Sequence, residues 1–187
     1  AKSHLISLAK ESGLFKEVIG FNQKSLSNEF INKYKDILNS SRGAGYWIWK
    51  HEIINNVLEN INKGDLVVYS DSGSSFNYFA KNRFYEYVDM LNQSEYGNFR
   101  IECESIHKEN IWTTGELFNY FNIDTDSNLG RDTQLEATHM IFKNSLHTDN
   151  YINEYKKLLD FDPYLITDKY NLYGQINGFK ENRHDQS

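Results

Sequence analysis

A carboxylate set among small residues at the end of an apolar run is where this chain first offers chemistry. Leu66, Val67, Val68 and Tyr69 run without a polar break, and Ser70-Asp71-Ser72-Gly73 follows at once. Ligands of open α/β sheets bind just beyond the carboxyl ends of strands, so Asp71 is placed to meet one. The same residues can also form a plain turn, with Asp71 opening it and Gly73 taking a positive φ. Upstream, residues 42–50 read RGAGYWIWK and crowd Arg42, Tyr46, Trp47, Trp49 and Lys50 around two glycines. Aromatic side chains there can stack on a flat ligand or anchor the turn beneath a helix.

These groups need elements to hold them. Ile53, Ile54, Val57, Leu58 and Ile61 recur every three or four residues, which predicts a helix after Trp49 with one apolar face, ended by Asn62-Lys63-Gly64. The unbroken run 66–69 reads as a strand covered on both faces, as in a parallel α/β sheet. Before this block, residues 3–13 have helical spacing and Phe15–Phe21 has strand composition. Phe30, Ile31, Tyr34 and Leu38 mark another helix, and Ser40–Gly45 reads as a loop. After it, Phe76–Leu91 suits a helix, and Asn98–Ser105 alternates through Phe99, Ile101 and Cys103 as a half-buried strand. Beyond Trp112, which can line a pocket or pack in the core, a threonine of Thr113-Thr114 caps a helix through Phe118 and Phe121. Asp124–Asp132 reads as a lid loop, 133–143 as a strand, and Thr148 or Asp149 opens a helix through Leu159. Tyr164–Tyr173 fits a short helix or strand.

Composition narrows the class. A chain of 187 residues is long enough for one domain with a sizeable core. The net charge of −6 argues against a non-specific nucleic-acid binder, which normally carries a basic face. The lone Cys103 excludes an intrachain disulfide and a cysteine zinc cluster, and fits a reducing compartment or an indifferent one; a cytoplasmic location is expected. No apolar run is long enough to span a membrane.

The block R-G-x-G-Y-W-x-W-K, then a helix, then G-D-x-x-x-Y-x-D-x-G resembles small GT-A type glycosyltransferases of bacteria and large DNA viruses. Arg42, Gly43, Gly45, Tyr46, Trp47, Trp49, Lys50, Gly64, Asp65, Tyr69, Asp71 and Gly73 carry the match. The resemblance is strong over residues 42–77 and looser over the rest of the chain. It implies a GT-A, Rossmann-like three-layer α/β/α fold with a mixed, mainly parallel sheet, and a single domain over residues 1–187. The family's first strand, part of its nucleotide pocket, would precede residue 1, and a further helix would follow Ser187; a domain trimmed at both ends is expected.

The same resemblance implies the chemistry of a nucleotide-diphosphate sugar donor, a glycan or other hydroxyl acceptor, and Mn²⁺ or Mg²⁺ at an acidic strand end. Such a metal stabilises the departing phosphate as a Lewis acid. Where the family has D-x-D this chain has Asp71-Ser72-Gly73, so another protein ligand or more water is wanted, and His184 in Arg183-His184-Asp185-Gln186 resembles a late element that completes the metal shell. Arg42 and Lys50 would face phosphate. Tyr46, Trp47 and Trp49 would stack on the base or fix the loop, and Ser72 and Gly73 would lie against the donor. Glu136 and Asp185 are level candidates for the base that takes the acceptor proton, with Asp132 behind them. On a strand, Gln134 and Glu136 would point the same way. His51 stands where the family often has proline. A catalytically silent sugar- or nucleotide-binding module is the other reading; a nucleotidyltransferase would want a glycine-rich phosphate loop, which is not visible here.

Overall fold

The structure is a computed structural model describing residues 1–187. In chain order its elements are α1 (Lys2–Ser12), α2 (Asn28–Lys33), α3 (Lys35–Leu38), α4 (Trp49–Leu58), β1 (Leu66–Ser70), α5 (Lys81–Gln93), β2 (Asn98–Glu102), α6 (Glu109–Trp112), α7 (Gly115–Tyr120), β3 (Leu135–Lys143) and α8 (Leu146–Phe161). The strands form a sheet in the order β1-β3-β2. β3 is antiparallel to both neighbours, with Leu66 opposite Lys143, Ser70 opposite His139 and Asn98 opposite Phe142.

The fold is α/β, but the mainly parallel sheet implied by the resemblance is not what forms. Because β1 and β2 are each antiparallel to β3, they run in the same direction and are joined by α5. This is a β-α-β crossover whose two strands are separated by a third, so every hydrogen-bonded pair is antiparallel. The strand β1 makes apolar contacts on both faces but is only half-buried along its length. Val67 and Tyr69 pack with Ile54, Leu58, Met140 and Phe142 beneath α4 and α8, while Val68 faces Phe84 and Tyr87 of α5 across an apolar cavity. Apolar contact on both faces is compatible with either strand direction, so the run 66–69 does not by itself require a parallel sheet.

A larger apolar cluster lies beside the sheet. Phe30, Ile37, Ile48, Ile53, Leu117 and Leu159 belong to it, joining α2, α3, α4, α7 and α8. Several local expectations are corrected. Phe15–Phe21 forms no strand; its aromatic end serves as a plug, with the Phe15 ring 5.5 Å from Phe76 and 5.8 Å from Phe84. The helix over 30–38 breaks at Tyr34, whose φ of −113° and ψ of 24° leave the helical region. Thr114 stands at the N-cap of α7, yet its hydroxyl is buried without a partner and caps nothing. Ser145, not Thr148 or Asp149, caps α8 by accepting from the Thr148 N–H. Within 164–173 the only regular element is the end of a 3-10 turn, Pro163–Ile166. No helix is long and apolar enough to cross a membrane.

Candidate functional site

The glycines of RGAGYWIWK do more than make a loop. Gly43, Ala44, Gly45, Tyr46 and Trp47 all have positive φ, at 56°, 49°, 99°, 53° and 57°, so the chain makes one left-handed turn before α4 begins. For residues with a Cβ this conformation costs about 1–2 kcal/mol each, and Ala44, Tyr46 and Trp47 all bear it. Backbone bonds hold the turn, from Tyr46 N–H to the Arg42 carbonyl at 2.7 Å and from Trp47 N–H to the Gly43 carbonyl at 3.2 Å. The Trp49 indole N–H adds another to Gly43, at 3.0 Å. Both glycines are needed for room. A Cβ on Gly43 would lie 2.4 Å from the Trp47 ring, and one on Gly45 would lie 2.8 Å from the Leu38 backbone.

The turn delivers Lys50 into the interior. Its side chain is 2% exposed, and its ammonium pairs with Asp185 and stands 3.7 Å from Asp71. It also donates to the Ala137 carbonyl of β3 at 2.8 Å. The Tyr69 ring lies beneath it, 5.2 Å from ammonium to centroid, and the Tyr69 hydroxyl donates to Asp71 at 2.6 Å. Residues far apart in sequence, 50, 71 and 185, thus meet around one charge at the carboxyl end of β1. Burial pushes the Asp185 carboxyl above its ordinary range; Lys50 opposes that shift and the like charge of Asp71 adds to it. The Tyr69 hydroxyl is pushed far up, first by burial and then by Asp71. It therefore remains a proton donor at any ordinary pH.

His184 lies under the aromatic turn, 5.2 Å from the Tyr46 ring and 5.4 Å from the Trp47 ring. Its Nε2 meets the Asp168 carboxylate at 3.0 Å, and burial lowers its pKa in spite of that partner. Arg42 reaches Asp168 at 3.5 Å and Glu181 at 3.4 Å, fastening the turn to the C-terminal segment. Tyr46 and Trp47 are half-buried beside the site; Trp49 packs against the larger core and braces the turn. Ser72 and Gly73 are exposed at the tip of the acidic loop, and Gly73 does not take the positive φ a plain turn would ask of it.

The base candidates separate. Asp185 is in the site. Glu136 is 39% exposed on β3 and faces His139 at 3.7 Å. Asp132 spends its carboxylate on the Thr133 N–H at 2.8 Å. Gln134 and Glu136 do not share an environment, since Gln134 is wholly buried and donates to Glu109 at 3.1 Å and Thr113 at 3.2 Å. An irregular register of β3 against β2 breaks the simple alternation. Trp112 is half-buried between two cations, with Lys180 5.0 Å and Arg183 5.1 Å from its ring.

As a metal site the donor set is partial. No group of three or more His, Cys, Asp or Glu side chains converges to hold an ion. The two carboxylates on Lys50 would still suit Mg²⁺ or Mn²⁺, which take one or two carboxylates and complete their shell with diphosphate oxygens and water. Comparison with protein-family models, curated proteins and solved structures finds no match.

Sequence reasoning missed three contributors. Tyr69 shares a strand face with Asp71 by its i, i+2 spacing, a signal that was available. Asp168 and the Ala137 carbonyl gave none, because each enters through the path of a distant segment.

Proposed function

We propose that the chain is a glycosyltransferase that takes a nucleotide-diphosphate sugar as donor and a glycan hydroxyl as acceptor. The observation that carries this reading is the convergence of Lys50, Asp71 and Asp185 beside a strained aromatic turn at the end of β1. A buried ion pair is rarely kept for stability, because desolvation offsets most of the Coulombic gain. Strain in a left-handed turn likewise has to be over-determined by its surroundings, and such outliers cluster at ligand sites. The turn, Lys50 and Asp71 lie in the segment 42–77 that resembles small GT-A glycosyltransferases, and Asp185 joins them from the C-terminal end.

In this reading Lys50 supplies fixed positive charge toward the diphosphate, and Tyr69 holds the Asp71 carboxylate in one orientation. Tyr46 and Trp47, half-buried against His184, would offer aromatic surface to the base. Asp71 would hold a divalent cation, which when bound would supply Lewis-acid stabilisation of the leaving group. Asp185, whose burial raises its pKa, is suited to accept a proton from an acceptor hydroxyl. The test is a thermal-shift screen of UDP- and GDP-sugars with and without Mn²⁺, on the wild type and on Asp71→Ala. Stabilisation by at least one donor that disappears in the variant supports the assignment; equal shifts in both proteins overturn it.

A further inference from the structure

Three side chains outside the Lys50 site are arranged for a different chemistry. Ser74 Oγ, on the loop after β1, lies 2.9 Å from His139 Nε2, and His139 Nδ1 faces Glu136 at 3.7 Å. Residues three apart on a regular strand point to opposite faces. Here they meet because β3 bulges. Between the pairs Arg100–Met140 and Glu102–Leu135, β2 advances two residues while β3 advances five, and bulges of this kind re-aim side chains near functional sites.

Ser74 is hydrogen-bonded to the imidazole and Glu136 stands at ion-pair distance from its other nitrogen. Hydroxyl, base and orienting carboxylate in this order turn serine into a nucleophile, with contacts that are often looser before substrate binds. Two further observations fit that role. The N–H groups of Ser75 and Phe76, directly after Ser74, make no hydrogen bond within the protein, and the N–H following a nucleophilic serine is a usual oxyanion donor. Next to Ser74, which borders it without lining it, an apolar cavity of about 290 Å³ opens between the sheet and α5, with Ser75 and His139 among its lining and Phe76, Phe84, Phe99 and Ile141 as apolar walls.

We infer that Ser74 is an acyl-accepting nucleophile and that the chain hydrolyses esters of short apolar acids, with the acyl group in this cavity. The inference stands apart from the glycosyltransferase reading. Ser74 Oγ attacks the carbonyl carbon and its proton passes to His139 Nε2. The bond to the alcohol oxygen then breaks, and the alcohol leaves with that proton. Water next attacks the acyl-serine, gives a proton to His139 and releases the acid as Ser74 Oγ is reprotonated. Glu136 orients the imidazole and stabilises its cation.

The experiment treats the full chain with a fluorophosphonate probe, locates the adduct by peptide mass spectrometry, and follows p-nitrophenyl butyrate hydrolysis in parallel. Ser74 carries the adduct, Ser74→Ala abolishes both readouts without changing the melting temperature, and His139→Ala slows both by about 10²–10⁴-fold. The assignment is overturned by any of three results. These are an unlabelled Ser74 in folded protein, hydrolysis at the wild-type rate by Ser74→Ala, or labelling of His139→Ala as fast as wild type.

Discussion

Replacing Lys50 by methionine keeps the length of the side chain and deletes its charge. Asp185, 7% exposed, would then be left beside Asp71 with no cation facing it. Breaking a buried ion pair by removing one partner costs about 3–5 kcal/mol. That is a large share of the roughly 5–15 kcal/mol that holds a domain folded. At about 2–4 °C per kcal/mol for a chain of this size, Lys50→Met lowers the melting temperature by about 6–20 °C. The loss depends on pH. Burial already holds the folded Asp185 pKa above its ordinary 3.8, and losing Lys50 lifts it further. A carboxyl raised in the folded state contributes stability that is present below 3.8 and lost as pH rises through the folded value. The variant is therefore closest to wild type in acid and falls away toward neutrality. Adding Asp185→Leu removes the orphaned charge and restores most of the stability, since apolar replacement of a buried pair is often neutral or better. Melting curves by circular dichroism at pH 5 and pH 7 on both single variants and the double variant give the coupling. A Lys50→Met protein that melts within about 2 °C of wild type at pH 7, or single effects that simply add, refutes the picture of a buried, mutually dependent pair.

The left-handed turn makes opposite predictions at neighbouring positions. Ala44 is exposed at φ 49° and ψ 50°, so Ala44→Gly relieves strain and raises stability by about 0.5–1 kcal/mol in urea denaturation. Gly45→Ala, at φ 99° and against the Leu38 backbone, costs at least about 2 kcal/mol in the same measurement. His51 is buried, its pKa held well below the ordinary 6.5 first by desolvation and then by Arg100 and Lys50. A histidine depressed in the folded state contributes stability that is present above 6.5 and lost as pH falls. Stability should therefore drop by up to about 1.4 kcal/mol per pH unit below that point, with His184 acting in the same sense. His51→Gln flattens that slope in urea titrations at several pH values, and an unchanged slope contradicts the assignment. Tyr69→Phe removes the hydrogen bond to Asp71 and lowers stability by about 1 kcal/mol, with a larger loss in donor binding measured by calorimetry.

The sequence was most legible where one period dominates. The strand 66–70 and the long strand ending at Lys143 appear close to their expected bounds, and the helix after Trp49 forms where expected but ends at Leu58, before Ile61, because each has a sustained apolar pattern. Phe15–Phe21 misled because aromatic and β-branched residues suit a strand and a packed coil equally, and only tertiary contact chose the plug on α5. Strand direction was illegible for another reason. The order of β1 and β2 around β3 is set by where a distant segment inserts, and nothing inside β1 records it. In the site, Lys50, Asp71 and Asp185 were each nominated from their neighbours in sequence, but their meeting around one buried ammonium was not. His184 was nominated as a partner of Asp71 on resemblance, whereas its Nε2 faces Asp168.

The most direct test of the site is calorimetric titration of the chain with a nucleotide-diphosphate sugar in the presence of Mn²⁺, compared with Asp71→Asn and Lys50→Met/Asp185→Leu. The site as described predicts binding by wild type that is lost in Asp71→Asn and in the double variant, although the latter stays folded. Undiminished binding by both variants would contradict it.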